Sequence, residues 1–457
     1  MLKRSILAFV LCVFSLPPSS QGQESEKLVL NLRYCEELAL QNNLDIEEAR
    51  LGLEFSEARR VQAAHANILP KLEFKQVLGT STRARGVFND FGVLSSPDSS
   101  FKFSNIRYYV AGELNLIQPI YTFGKLSNLE RAAKYGVQAD QANIEKTRAE
   151  VLLKVRELYW TLLLGKELLT VVKNAKSEVA KAERTIDEKL DEGSEDVSQT
   201  DLFKLQIFRY EVNKRHREAL DRIEIAKSEL RMALGLEDGL DFDLESEYLD
   251  AITTRFESIP AYLETALQAR PEVAQIRSGL RARRALVNLH KSDFYPQLFF
   301  GGQVRYNYAK DRFDTRNPYD YNPYNFFRPG FVIGLNMNLN FLQTRDKVRV
   351  AQTEYSQLAQ KESLLLSGIR LEVQKTYLDA VRAETNMRES RRALRASENW
   401  LRSASMTFDM GIGEIKELLE AFQANSKMKT EHLQNIFEFN TGVAKLSRAI
   451  GRDLYEE

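Results

Sequence analysis

Phe331-Val332-Ile333-Gly334-Leu335-Asn336-Met337-Asn338-Leu339-Asn340-Phe341 alternates from end to end. Phe331, Ile333, Leu335, Met337, Leu339 and Phe341 share one side of a pleat. Val332, Gly334, Asn336, Asn338 and Asn340 share the other, because successive strand side chains point to opposite faces. One apolar face and one amide-rich face over about ten residues is the pattern of a strand between lipid and water. A half-buried strand of a soluble sandwich has the same period, so the rest of the chain has to decide.

Three more segments switch to period two. Residues 298–308 set Leu298, Phe300, Val304, Tyr306 and Tyr308 against Phe299, Gln303, Arg305 and Asn307. Residues 108–118 set Val110, Leu114 and Leu116 against Glu113, Asn115 and Gln118, and residues 72–78 repeat the pattern more weakly. Polar stretches join the members of each pair: residues 80–105, rich in Ser, Gly, Asn and Asp, and residues 310–329, polar and aromatic. Long polar loops and interfacial Tyr and Phe suit the outer side of a membrane barrel.

The N-terminus supports export. Lys3 and Arg4 precede an apolar run from Ile6 to Phe14, too short to span a bilayer, and Ser20-Gln21-Gly22 offers small residues for cleavage. Residues 1–22 therefore read as a signal peptide. The competing readings are a buried N-terminal helix and a lipoprotein anchored at Cys12; Leu11 is bulky for the latter. Only Cys35 remains after cleavage, which excludes an intramolecular disulfide. No other segment reaches about 18 apolar residues, so no transmembrane helix is expected. The 64 basic and 64 acidic residues cancel, which argues against a nucleic-acid partner.

Between the strands the period changes. Residues 125–190 contain no Pro, and Val151, Val155, Leu158, Leu162 and Leu163 mark one face of a helix. At 1.5 Å per residue this rod extends about 100 Å. Gly193 breaks it, and a helix returns from Val197 to about Leu236. The plan then recurs: a rod from about Lys347 to Phe408, a break at Gly411-Ile412-Gly413, and a return from Glu414 to Ile450. Helical stretches also open each half, over residues 30–64 and from Ala261 to about His290. The chain thus divides into a first repeat, 23–250, with strands at about 71–120 and a helical hairpin at about 125–236. The second repeat, 251–457, has strands at about 297–342 and a hairpin at about 345–450.

Four strands cannot close around a lumen, and lipid does not tolerate open sheet edges. Several chains must therefore pool their strands. On this point the chain resembles the TolC-like outer membrane efflux proteins over nearly its whole mature length. Ala39-Leu40-Gln41-Asn42-Asn43 looks like the family's opening helix, and Ala266-Leu267-Gln268-Ala269-Arg270-Pro271-Glu272-Val273 resembles it more closely. Leu44 stands where the family usually has Pro. Ile68-Leu69-Pro70-Lys71-Leu72 and Tyr295-Pro296-Gln297-Leu298 look like helix-to-strand junctions. Gln118-Pro119-Ile120-Tyr121-Thr122-Phe123-Gly124-Lys125 resembles the strand-to-helix junction, and Asn340-Phe341-Leu342-Gln343-Thr344-Arg345 is its copy without the glycine. Each motif is loose; their order, found twice, is specific.

The resemblance implies a mixed, mainly α fold: a homotrimeric 12-stranded outer membrane β-barrel, four strands per chain, continued by a periplasmic α-helical barrel. It implies an exit duct for a tripartite efflux or type I secretion system, working with an inner-membrane pump and a periplasmic adaptor in a bacterium with two membranes. It also implies a narrow entrance ringed by acidic side chains. Gly411-Ile412-Gly413-Glu414-Ile415-Lys416-Glu417-Leu418-Leu419-Glu420-Ala421 resembles the second tip segment, with Glu417 and Glu420 at the gate. Their spacing puts both on one helix face. Lys416 alongside also suits an ordinary solvated face. Asp201 is the candidate counterpart in the first repeat, and Gly193, Gly411 and Gly413 are the candidate adaptor-docking tips, although any helical hairpin favours Gly at its turn.

Enzymatic signatures are missing from the sequence. His65, His216, His290 and His432 lack ligand spacing, and there is no Walker loop or dinucleotide fingerprint. A non-enzyme without metal or other cofactor is expected. Two alternatives remain at this stage: a periplasmic adaptor with a coiled-coil hairpin, and a structural envelope protein without a pore. An adaptor would ordinarily carry one hairpin and a lipoyl-like β domain.

Overall fold

The computed structural model describes residues 28–82, 87–88, 94–95, 103–191, 198–237, 239–312, 319, 322–410, 412 and 415–455. The signal peptide and the tip glycines Gly193, Gly411 and Gly413 lie outside them. The first half runs β1 (Leu28–Leu30), α1 (Leu32–Asn42), α2 (Leu44–Ile68), β2 (Lys71–Thr82), the short β3 (Val87–Phe88) and β4 (Leu94–Ser95), β5 (Ile106–Tyr121), α3 (Lys125–Asp191) and α4 (Gln199–Ala233). The second half runs β6 (Phe242–Leu244), α5 (Ile259–Ala269), α6 (Pro271–Ser292), β7 (Gln297–Ala309), β8 (Phe326–Asn336), α7 (Phe341–Asp409) and α8 (Ile415–Ile450). None of the described helices is long and apolar enough to cross a membrane.

The opening helix of each half is two helices, not one. In the second half Arg270 breaks the path with ψ 127°, because the residue before a proline is pushed out of the helical region and Pro271 then fits at the first helical position. The first half has Leu44 at that place. There Asn43 makes the break as an N-cap: its Oδ1 accepts from the Asp45 N–H at 2.9 Å, while its Nδ2 donates to the Ala233 carbonyl at 2.8 Å. The chain thus reaches one geometry by proline in one copy and by a capping amide in the other.

Strands β2, β5, β7 and β8 form a single antiparallel sheet in the order β2-β5-β7-β8, so the two hairpins join through β5 and β7. The alternation of 331–341 was expected to run as strand throughout. Instead β8 begins at Phe326, ends at Asn336, and Phe341 opens α7. Residues 337–340 carry the alternation on outside any regular element, and α7 takes only its last residue; Thr344, in the first turn of α7, is almost wholly buried.

At 67 and 69 residues, α3 and α7 are each about 100 Å long. Each packs against its return helix, and two matching cores hold the arrangement. One gathers Leu30, Cys35 and Ala39 with Val155, Tyr159 and Leu162 of α3, Leu230 of α4 and Phe242 of β6. The other gathers Tyr262 and Ala266 with Ile369, Val373 and Ala380 of α7 and Val443, Leu446 and Ile450 of α8. Burial pushes the Cys35 thiol up to about 12, helped by the neighbouring Glu36, so it stays a protonated apolar core residue. At the far ends of the rods a third cluster, Val179, Ile186, Leu205, Phe408 and Ile415 among its members, clamps the two hairpins side by side.

Candidate functional site

Two regions carry the functional geometry: the wall made by the four-stranded sheet and the far ends of the helical hairpins. The sheet register separates two faces. On one face lie Leu72, Phe74 and Leu78 of β2, Leu114 and Leu116 of β5, Val304 and Tyr306 of β7, and Phe327 and Phe331 of β8. Phe74 is 65% and Phe331 71% exposed, a cost in water that is removed in lipid. The opposite face carries Glu73, Lys75, Glu113, Asn115, Gln303, Arg305 and Arg328.

That polar face has an internal order that sequence alternation alone does not disclose. Lys75 pairs with Glu113, Glu113 with Arg305, and Arg305 with Arg328, one continuous row across all four strands. Glu113 Oε1 accepts from Asn115 Nδ2 at 2.8 Å and from Gln303 Nε2 at 3.0 Å. Gln303 Nε2 also donates to Asn115 Oδ1 at 2.8 Å, so amides tie the next row to this one. The Arg328 guanidinium lies 4.4 Å from the centre of the Phe326 ring and donates to the Asn322 carbonyl at 3.3 Å. Nearer the loops, Arg107 bonds Asp311 at 2.9 Å.

Where strands give way to helices, aromatic rings collect. Tyr121 meets Phe123 edge to face at 4.7 Å, Phe123 stacks on Tyr295 at 5.3 Å, and Phe294 stacks on Phe341 at 6.5 Å. Phe123 and Gly124 both take positive φ, 50° and 87°, which turns the chain from β5 into α3. Lys125 then bonds Asp293 at 2.7 Å and joins the two halves at this level. An aromatic belt here marks one edge of the apolar band.

At the other end, Ile415 and Ala421 are buried and Leu418 and Leu419 half-buried, which leaves Glu417 and Glu420 exposed together on the first turns of α8. Carboxylates suit a helix N-terminus, where the backbone N–H groups leave a partial positive charge. Asp201 lies in the first turn of α4, at the same end of the paired hairpins. A cleft of about 580 Å3 opens beside the pair, lined by Val179 and Ala182 of α3, Leu401 and Met406 of α7, and Leu418 and Phe422 of α8. The sequence reading missed this cleft, since its walls come from three helices far apart in the chain. Among the described residues no group of His, Cys, Asp and Glu side chains is arranged to hold a metal ion.

The arrangement has known counterparts. A family model described as outer membrane efflux protein matches residues 36–236 and 262–452, one span in each half. The outer membrane channel CmeC of Campylobacter jejuni superposes with a TM-score of 0.75 at 17% identity, covering 97% of this chain and 95% of that one. The outer membrane protein VceC of Vibrio cholerae gives 0.71 at 16%, covering 93% and 96%. The open MtrE outer membrane channel of Neisseria gonorrhoeae gives 0.71 at 14%, covering 93% and 89%. No curated protein matches the chain. Such low identities speak for the fold; the family match covers most of the sequence and speaks for more. The chain belongs to the outer membrane efflux protein family and is an outer membrane channel whose helical part reaches into the periplasm.

Proposed function

We propose that three copies of this chain close a 12-stranded barrel and serve as the exit duct of a tripartite efflux or type I secretion system, handed cargo by an inner-membrane pump through a periplasmic adaptor. The observation that carries this reading is the sheet itself. It has two open edges, β2 and β8, and one largely apolar exposed face. Open edges are not stable in lipid, so β8 of one copy must meet β2 of the next until the ring closes. The two repeats, 23–250 and 251–457, then contribute equal arcs of one wall. The protein catalyses no reaction in this reading, and the pump supplies the energy.

Glu417 and Glu420 are the proposed periplasmic gate, with Asp201 as a further acidic member. Three copies of the pair set six carboxylates around one aperture, and rings of Asp or Glu favour cations. The tips at Gly193, Gly411 and Gly413, together with the cleft of Leu401, Met406, Leu418 and Phe422, are the proposed adaptor-docking surface. An adaptor hairpin offers the apolar helix face such a cleft requires.

Two measurements test this. The native protein should resist carbonate extraction, dissolve in detergent as a trimer, and conduct ions in planar bilayers. A soluble or monomeric protein would overturn the duct reading. The Glu417→Gln/Glu420→Gln channel should lose cation preference relative to wild type; an unchanged reversal potential under a salt gradient would remove the gate from these residues.

A further inference from the structure

We propose that the inner wall of the barrel carries an anion-favouring girdle, made by Lys75, Arg305 and Arg328, that draws carboxylate-, sulfate- or phosphate-bearing cargo along the outer membrane part of the duct. The inference rests on the barrel reading above, which turns the polar sheet face inward. The row Lys75–Glu113–Arg305–Arg328 places three cations and one anion on adjacent strands. Three chains repeat it around the lumen, along a shallow spiral set by strand tilt.

Arg305 and Arg328 are direct cross-strand partners, and like charges directly opposite destabilise a sheet. In the neighbouring row Asn115 and Gln303 are joined amide to amide, and Glu73 bridges Lys75 at 3.2 Å, so the unbalanced positive charge rests on Arg305 and Arg328. Glu113, the one acid of the row, is already bound by those two amides. Packing against the Phe326 ring and the bond to the Asn322 carbonyl hold the Arg328 guanidinium in place. Arg305, Arg328 and Lys75 are all exposed on the lumen face. Rings of Arg and Lys are the general solution for anion passage, and guanidinium groups match carboxylate and phosphate in shape.

The acidic pair at the other end does not cancel this field. The rods keep the two regions about 100 Å apart, many times the Debye length of about 8 Å in physiological salt. The duct therefore has opposite fixed charge at its two ends, each acting locally.

Inorganic tripolyphosphate, added to one side of oriented channels in a planar bilayer, is the probe. Wild type should be blocked from the extracellular side, and Glu417→Gln/Glu420→Gln should be blocked equally. Arg305→Gln/Arg328→Gln should require about tenfold more tripolyphosphate, as expected for removal of two charges per chain in a confined pore, and Arg305→Lys/Arg328→Lys should retain the block. Conducting wild-type channels that ignore extracellular tripolyphosphate would overturn the girdle while leaving the duct intact. So would equal block of the Gln variant. Absence of any conductance in wild type would overturn the duct reading and the girdle with it.

Discussion

Gly235 and Gly451 end the return helices of the two halves with φ of 65° and 71°. Each sits against the break in its own half's opening helices. A Cβ on Gly235 would lie 2.5 Å from the Asn42 carbonyl oxygen, and one on Gly451 would lie 3.1 Å from the Ala269–Arg270 peptide. Positive φ disfavours any L side chain, and at Gly235 backbone also stands in the way. Gly235→Ala should destabilise the protein by about 1–3 kcal/mol, and more than Gly451→Ala, in thermal unfolding of the detergent-extracted protein. The sheet contains a second use of glycine. The Tyr306 ring covers Gly112, and the Phe299 ring covers Gly334, its direct partner across the strands. Two rings thus fill the space of two absent side chains, one on each face.

At the scale of elements, the α7–α8 hairpin carries a titratable contact. His432 of α8 is 8% exposed, and its Nδ1 lies 3.0 Å from Ser390 Oγ of α7. Burial lowers its pKa, and Arg391 lowers it further against a weaker opposite effect of Glu398. The unfolded chain, with an ordinary histidine near 6.5, then binds the proton more readily than the folded chain does. Stability should therefore fall as pH drops below about 6.5. Unfolding midpoints measured across this window should show the loss in wild type and a smaller one in His432→Gln. The helix breaks belong to the same scale. Asn43→Ala removes both the cap and the bond to Ala233, and should cost about 1–2 kcal/mol in chemical denaturation.

For the whole molecule, the second half is tied together at Arg270. Its guanidinium bonds Glu272 at 2.9 Å and Glu372 at 2.5 Å, and Arg448 bridges Glu372 at 2.6 Å and Glu150 of α3 at 3.1 Å. Helices α6, α7, α8 and α3 meet in this one network. Burial works to raise the Glu272 pKa, but the Arg270 hydrogen bond and charge prevail and hold it below the usual carboxylate range. Its contribution is therefore present above about pH 4.3 and is lost as pH falls through the lower folded value. Arg270→Gln should be destabilising, by about 2–3 kcal/mol in guanidinium unfolding, because it leaves the largely buried Glu272 with only the longer Arg448 contact at 3.5 Å. A change below about 1 kcal/mol would mean that Arg448 alone satisfies it.

The sequence by itself determined the kinds of element and their order. Period-two alternation marked four strands, absence of proline marked two rods, and the repetition of landmarks marked two halves. Those signals are local, set by where successive side chains point. It left Asn43 unseen as a break, because an N-cap resembles any polar residue until its hydrogen bonds are known, and it extended β8 to Phe341, because alternation continues where the backbone has already changed. Glu417 and Glu420 were visible as a pair, but the cleft beside them was not. The tertiary structure decided which residues are neighbours. Alternation assigns a side chain to a face without naming its partner on the next strand; only the register aligned Lys75 and Glu113 of the first half with Arg305 and Arg328 of the second. The charge of the channel wall is a property of that alignment.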